Sequence, residues 1–116
     1  MKTRLMGLVA ATGLLVAGSV MAADESALAT KSGCLACHQV AAKVVGPAYK
    51  DVAKKYAGDK GAEARLAAEV IKGTGPNGVG WMKAGQASLP FMPPNTNATV
   101  TPEVATKLVQ WILSLK

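Results

Sequence analysis

Histidine is almost missing from this sequence, cysteine nearly so, and aromatic residues are sparse. In 116 residues there are one His, two Cys, two Trp, two Tyr and one Phe. So few large side chains make a thin core, and small domains of this kind usually need a staple such as a disulfide, a metal or a large cofactor. No arginine-rich run is present, which removes the usual signature of a nucleic-acid binder. No stretch shows sustained alternation of apolar and polar residues, which argues against a sheet protein and leaves an all-α chain. Internal repeats and low-complexity tracts are also absent.

The longest uncharged, mostly apolar run, Leu5 to Val16, is too short for an ordinary membrane span. It follows Lys2 and Arg4 and precedes the small residues around Val20-Met21-Ala22, the plan of a secretory signal peptide over residues 1–22. The rival reading of the same run is a retained N-terminal anchor. The expected mature chain, 23–116, is a single domain without a stable membrane anchor, exported to the periplasm. Removing Lys2 and Arg4 from 13 basic residues leaves 11 against 7 acidic ones, a modest excess of +4.

Four helices are expected in the mature chain. The first runs from about Asp24 towards Ser32, with acidic residues at its start and Gly33 behind it. The second opens at Pro47, carries the stripe Tyr49, Val52, Ala53, Tyr56 and stops at Gly58. The third, about Ala62 to Lys72, buries Leu66, Val70, Ala67 and Ile71, and Gly73 stops it. In the fourth, Thr101 caps, Pro102 takes the first turn, and Val104, Leu108, Trp111, Ile112 and Leu115 share one face. Between the last two lie 28 residues, Gly73 to Val100, with neither helical nor strand period. A loop this long in so small a domain is functional or disordered. Disorder fits poorly, because Trp81, Met82, Leu89, Phe91 and Met92 call for burial, so the loop is expected to wrap something large and apolar.

All of the cysteine and histidine falls in five consecutive residues, Cys34-Leu35-Ala36-Cys37-His38. On one helical turn, positions i, i+3 and i+4 share a face. A disulfide between Cys34 and Cys37 closes a tiny loop and gives His38 no task. A thioredoxin-like pair expects a βαβ context, and a zinc site still lacks a fourth ligand after two thiolates and one imidazole. Covalent haem attachment uses all three side chains, and C-x-x-C-H is the c-type haem signature. The two thiols form thioethers and the imidazole of His38 takes one axial position on iron. Methionine is the remaining candidate for the other position, since Met/His ligation is the electron-transfer arrangement. With Met1, Met6 and Met21 in the leader, the choice lies between Met82 and Met92. Met92, held between Pro90 and Pro93-Pro94, is the better-fixed ligand, which leaves Met82 to pack.

GCLACH, VGPAYKDVAKKYAG, LPFMPPN and VQWILSLK occur in that order and together resemble the short class I cytochromes c of bacteria, the periplasmic type called five-fifty-one or c-eight. The resemblance spans essentially the whole mature chain. It implies the cytochrome c fold, about four helices around one haem c. It also implies a monomeric one-electron carrier between respiratory enzymes such as a terminal oxidase, a nitrite reductase or a quinol-oxidising complex. Carried over by position, Cys34 and Cys37 are the thioether sites, His38 the proximal ligand and Met92 the distal one. Pro47 belongs to the segment whose carbonyl accepts from the proximal histidine, or else simply starts a helix. Asn95 donates towards the methionine sulfur or serves as a turn residue after Pro93-Pro94. Trp81 donates to a haem propionate or packs in the core. The run from Trp81 to Met92 is longer than in the shortest members, and Phe91 intrudes before the methionine.

Lys43, Lys50, Lys54 and Lys55 are either an ordinary solvated face or a collar that steers acidic partners. With both axial positions filled, iron has nowhere to bind substrate, so the expectation is a carrier and not an enzyme. A labile methionine would instead make a haem-based gas sensor or peroxidase, and constant company with a large partner would make a fixed subunit of a dehydrogenase.

Overall fold

The computed structural model describes residues 23–75 and 79–116; the expected leader, 1–22, lies outside the described residues. Helix α1 is Ser26–Lys31, α2 Tyr49–Lys55, α3 Ala62–Lys72 and α4 Pro102–Ser114, with one 3-10 turn at Cys34–Ala36. No strand occurs among the described residues. The all-α expectation holds, with shorter first and second helices than the sequence implies.

Helix α4 is the organising element. Thr101 Oγ1 accepts from the backbone N–H of Val104 at 3.3 Å, and Pro102 occupies the first turn, where its missing N–H costs nothing. Its inward face buries Ala105, Leu108, Val109, Trp111 and Ile112. One side of that face meets Ala29 of α1 and Tyr49 of α2; the other meets Ala67 of α3. Burying one large aliphatic side chain is worth about 1.5–3 kcal/mol, so α4 alone supplies much of the hydrophobic drive. Helices of six or seven residues, such as α1 and α2, are not stable in isolation and rest on these contacts.

Two helix starts differ from the sequence reading. Asp24 and Glu25 precede α1, and Asp24 Oδ1 accepts from the N–H of Ser26 at 2.9 Å. Pro47 does not open α2, because Ala48 behind it is extended (ψ 141°). Its neighbourhood is set by long-range bonds instead: the N–H groups of Tyr49 and Lys50 donate to the carbonyls of Gln39 and Val40, both at 2.9 Å. In α3 only Ala62 and Ala67 are fully buried, while Leu66, Val70 and Ile71 are half-buried.

The segment between α3 and α4 is sewn to the body on two sides. Thr74 N–H donates to Met92 O at 3.0 Å, Met92 N–H donates to Thr74 Oγ1 at 2.8 Å, and Asn95 N–H donates to Ile71 O at 3.1 Å. These bonds lash the methionine segment to the end of α3. Gly73 makes the approach possible. It has φ +78°, and a Cβ there would fall 2.7 Å from Met92 O and 2.8 Å from Pro94 N. On the other side, Ser88 donates to Val45 O from its N–H at 2.8 Å and to Val44 O from its hydroxyl at 2.9 Å.

Candidate haem site

The loop, the CLACH turn and helices α2, α3 and α4 line a cavity of about 430 Å³ with a mainly apolar wall. Cys34, Cys37, His38, Pro47, Trp81, Met92 and Asn95 all line it. Met82 does not. It is 52% exposed, so its expected role in packing is overturned: the turn from Gly80 to Gln86 carries it outward. Leu89 and Phe91, also expected to be buried, line the cavity but remain 46% and 43% exposed.

The three side chains of the CLACH segment are presented by one tight turn. Gly33, with φ +80°, ends the approach from α1. The N–H groups of Cys37 and His38 then both donate to Cys34 O, at 3.2 and 3.0 Å. The two cysteines are half-buried and are not joined to each other by a disulfide. Burial pushes the Cys34 thiol above its ordinary pKa, against the pull of the Tyr49 hydroxyl beside it.

His38 is fixed on several sides. Its Nδ1 lies 2.8 Å from Pro47 O, and since a carbonyl can only accept, Nδ1 carries the proton. The lone pair is thereby left on Nε2, the arrangement a metal-binding imidazole needs. Burial holds the ring's pKa below its ordinary value, outweighing the Pro47 bond, and so favours the neutral ring. Tyr49 stacks on it at 5.1 Å with 20° between the planes, and Trp111 of α4 meets Tyr49 edge-on at 5.6 Å. Gly46 leaves room for the ring: a Cβ there would come within 2.9 Å of both ring nitrogens. Gly46 N–H also donates to Cys37 O at 2.7 Å, which closes the segment around the imidazole.

Asn95 uses its side-chain oxygen as a turn residue, accepting from Asn97 N–H at 2.8 Å, while the residue itself lines the cavity. Trp81 is half-buried and meets Tyr56 edge-on at 6.4 Å. Several wall residues were missed in the sequence reading. Glu69 shares the cavity wall with Leu66 and Val70; it follows Leu66 by three positions on α3, where helical spacing would have shown it. Burial raises its carboxyl pKa, and Arg65 pulls the other way. Ser32 is 1% exposed, and its hydroxyl is the one buried side-chain polar atom without a partner among the described residues. Thr74 had no signal beyond lying in the loop.

The residues fit a haem. A flat apolar macrocycle needs an apolar pocket of this scale, thiols at one wall, and a neutral imidazole oriented by a second-shell acceptor. All of these are present, and the unpartnered Ser32 hydroxyl lies in the same wall.

The family described as Cytochrome c matches residues 22–116. Cytochrome c2 of Rhodocyclus tenuis is 60% identical over 94 residues, covering 81% of this chain and 95% of that protein. Cytochrome c-552 of Nitrosomonas europaea is 52% identical over the full length of both chains. Cytochrome c-551 of Pseudomonas aeruginosa is 45% identical over 91% of this chain and 90% of its own. The crystal structure of wild-type Nitrosomonas europaea cytochrome c552 superposes with a TM-score of 0.64 at 44% identity, covering 78% of this chain and 98% of the other. A CLACH turn on an apolar cavity, an oriented imidazole and these relatives lead to one assignment: the chain belongs to the cytochrome c family, as a small bacterial class I member with covalently attached haem c.

Proposed function

We propose that Cys34 and Cys37 would hold the haem through two thioethers, that His38 and Met92 would ligate its iron, and that the protein serves as a periplasmic electron carrier rather than an enzyme. The observation that carries this reading is the shared wall: both cysteines, His38 and Met92 face one cavity, and Met82 stands outside it. When bound, haem c supplies a one-electron couple at iron.

The chain's own residues do the rest. Pro47 O holds the Nδ1 proton of His38 and so keeps Nε2 aimed and basic. Thr74 and Gly73 fix the backbone of Met92 against the end of α3, which keeps a methionine in reach of the cavity. The apolar wall formed by Val52, Leu66, Val70, Leu108 and Ile112 excludes water, which favours the less charged, reduced state and raises the potential. With His38 and Met92 both on the iron, no position would be left for substrate, and the chemistry the group would supply is one-electron transfer. Residues 1–22 serve as the cleaved export signal, and no helix among the described residues is long and apolar enough to cross a membrane. The partners that suit such a carrier are respiratory redox enzymes, a terminal oxidase, nitrite reductase or quinol-oxidising complex among them.

The test is a Cys34→Ala/Cys37→Ala double variant beside the parent, both purified from the periplasm. The parent is expected to keep a haem-staining band on a denaturing gel, with an intact mass equal to chain 23–116 plus one haem. The double variant is expected to lose the band; a normal band would overturn the attachment assignment. Added carbon monoxide is expected to leave the reduced spectrum of the parent unchanged, and a changed spectrum would mean an open or labile sixth position.

A further inference from the structure

Two cations lean on aromatic rings of the cavity wall. Lys55 Nζ stands 4.7 Å from the centre of the Trp81 ring and 5.9 Å from that of Tyr56. The Arg65 guanidinium lies 5.6 Å from the Tyr56 ring. Trp81 and Tyr56, joined edge to face, both line the cavity, and the two cations lie on these rings without themselves lining it. Their electrostatic situations differ. Arg65 is committed to Asp59 at 2.7 Å, a pair that holds the Asp59 carboxyl below its usual range. Lys55 makes no ion pair among the described residues.

A haem carries two propionate carboxylates. They cannot enter an apolar wall unpaired, and at the rim they are best met by a cation or an N–H donor. On the opposing side of the balance, Glu69 in the same wall adds a further potential anion to the two propionates, and Tyr56 adds a neutral hydroxyl. Of the charged groups beside these rings, only Lys55 is a cation without an acidic partner.

We propose that Lys55 binds a haem propionate, its ammonium held at the cavity rim by the faces of Trp81 and Tyr56. The long loop that carries Trp81 thereby becomes part of the propionate site: the indole ring positions the lysine as well as closing the wall. The proposal rests on the haem reading of the cavity.

The experiment follows the haem propionate proton resonances of intact holoprotein by NMR against pH, together with the midpoint potential by voltammetry. Lys55→Met is expected to raise the apparent propionate pKa by on the order of half a unit, because a nearby cation favours the charged carboxylate and an exposed pair is partly screened. It is also expected to lower the potential, since losing a cation favours oxidised iron. Lys55→Arg is expected to keep both near the parent values. Lys60→Met removes the same charge from an exposed lysine that stacks on no ring, and is expected to leave the propionate pKa unmoved. Trp81→Leu is expected to raise the pKa as Lys55→Met does, with little added by combining the two. Equal shifts from Lys55→Met and Lys60→Met would overturn the proposal. So would a propionate pKa that moves with Glu69→Gln but not with Lys55→Met. Failure of the haem reading itself is separable, because the parent would then show neither covalent haem nor haem resonances.

Discussion

At the scale of single residues, the site is a set of close approaches that leave little room for substitution. Met92 and Met82 are ten residues apart in one loop, yet one lines the cavity and the other is 52% exposed. Met92→Ala is expected to abolish the red sulfur-to-iron charge-transfer band and lower the potential, as loss of Met/His ligation requires. Met82→Ala is expected to keep both and to change stability by no more than about 0.5 kcal/mol, as surface substitutions do. Optical spectra and voltammetry of the two variants check the pair, and the reverse pattern would reassign the ligand. Gly46 is equally constrained, since any Cβ presses on the His38 ring. Gly46→Ala is expected to cost about 1–3 kcal/mol, the usual range for overpacking, and to move the potential by turning the imidazole off Pro47 O. Denaturant melts and voltammetry of the holoprotein read both effects. Glu69 offers a pH test. Its carboxyl pKa is raised in the fold by burial, so folding favours the protonated form. Stability is then greatest below the ordinary carboxylate range and falls as pH rises through the raised pKa. Glu69→Gln is expected to raise Tm at pH 7 and leave it nearly unchanged at pH 4; a lower Tm at pH 7 would mean the charged form is favoured after all.

At the scale of elements, what could be read from the sequence was what depends on local chemistry. The start of helix α4 was legible to the residue from Thr101 and Pro102, and its face from Leu108, Trp111 and Ile112, although the buried Ala105 and Val109 were not named and Val104 and Leu115 are only half-buried. Thr101→Ala is therefore expected to cost about 1 kcal/mol by thermal or denaturant melting, the usual worth of a side-chain cap. The Cys34–His38 turn was legible for a similar reason, since three scarce side chains at i, i+3, i+4 demand a common face. The start of α2 was not. Pro47 reads locally as a first-turn residue, but the chain is pinned there by Gln39 O and Val40 O, and the Pro47 carbonyl points to His38. No local pattern announces a bond between residues nine apart. The half-buried state of Leu66 and Val70 was also hidden. They pack on α4 and also line the cavity, whose far wall is the loop that returns to the end of α3. Glu69, a residue that composition alone would leave in solvent, is half-buried in the same wall.

At the scale of the whole molecule, the remaining question is how a carrier meets its partners. The four lysines considered together in the sequence separate in the fold. All four are exposed, but Lys43 donates to Gly85 O at 3.3 Å and Lys55 rests over Trp81, whereas Lys50 and Lys54 make no such contact among the described residues. Exposed charges act mainly on encounter, because complementary fields raise association rates, while axial ligands set the electronics of the iron. If Lys50 and Lys54 steer an acidic acceptor, association slows as salt rises, since the Debye length shrinks from about 10 Å at 0.1 M to about 3 Å at 1 M. Lys50→Glu/Lys54→Glu is then expected to slow association severalfold at low salt and to flatten that dependence, with the midpoint potential nearly unchanged. Stopped-flow reduction of a purified acceptor at several ionic strengths decides the matter. Equal low-salt rates for parent and variant would return both lysines to ordinary solvated surface. Docking would then fall to the exposed apolar side chains, Leu35 between the two cysteines and Leu89 and Phe91 on the cavity wall. An apolar encounter of that kind keeps its rate as salt increases, so the slope of rate against ionic strength separates the two modes even before any residue is changed.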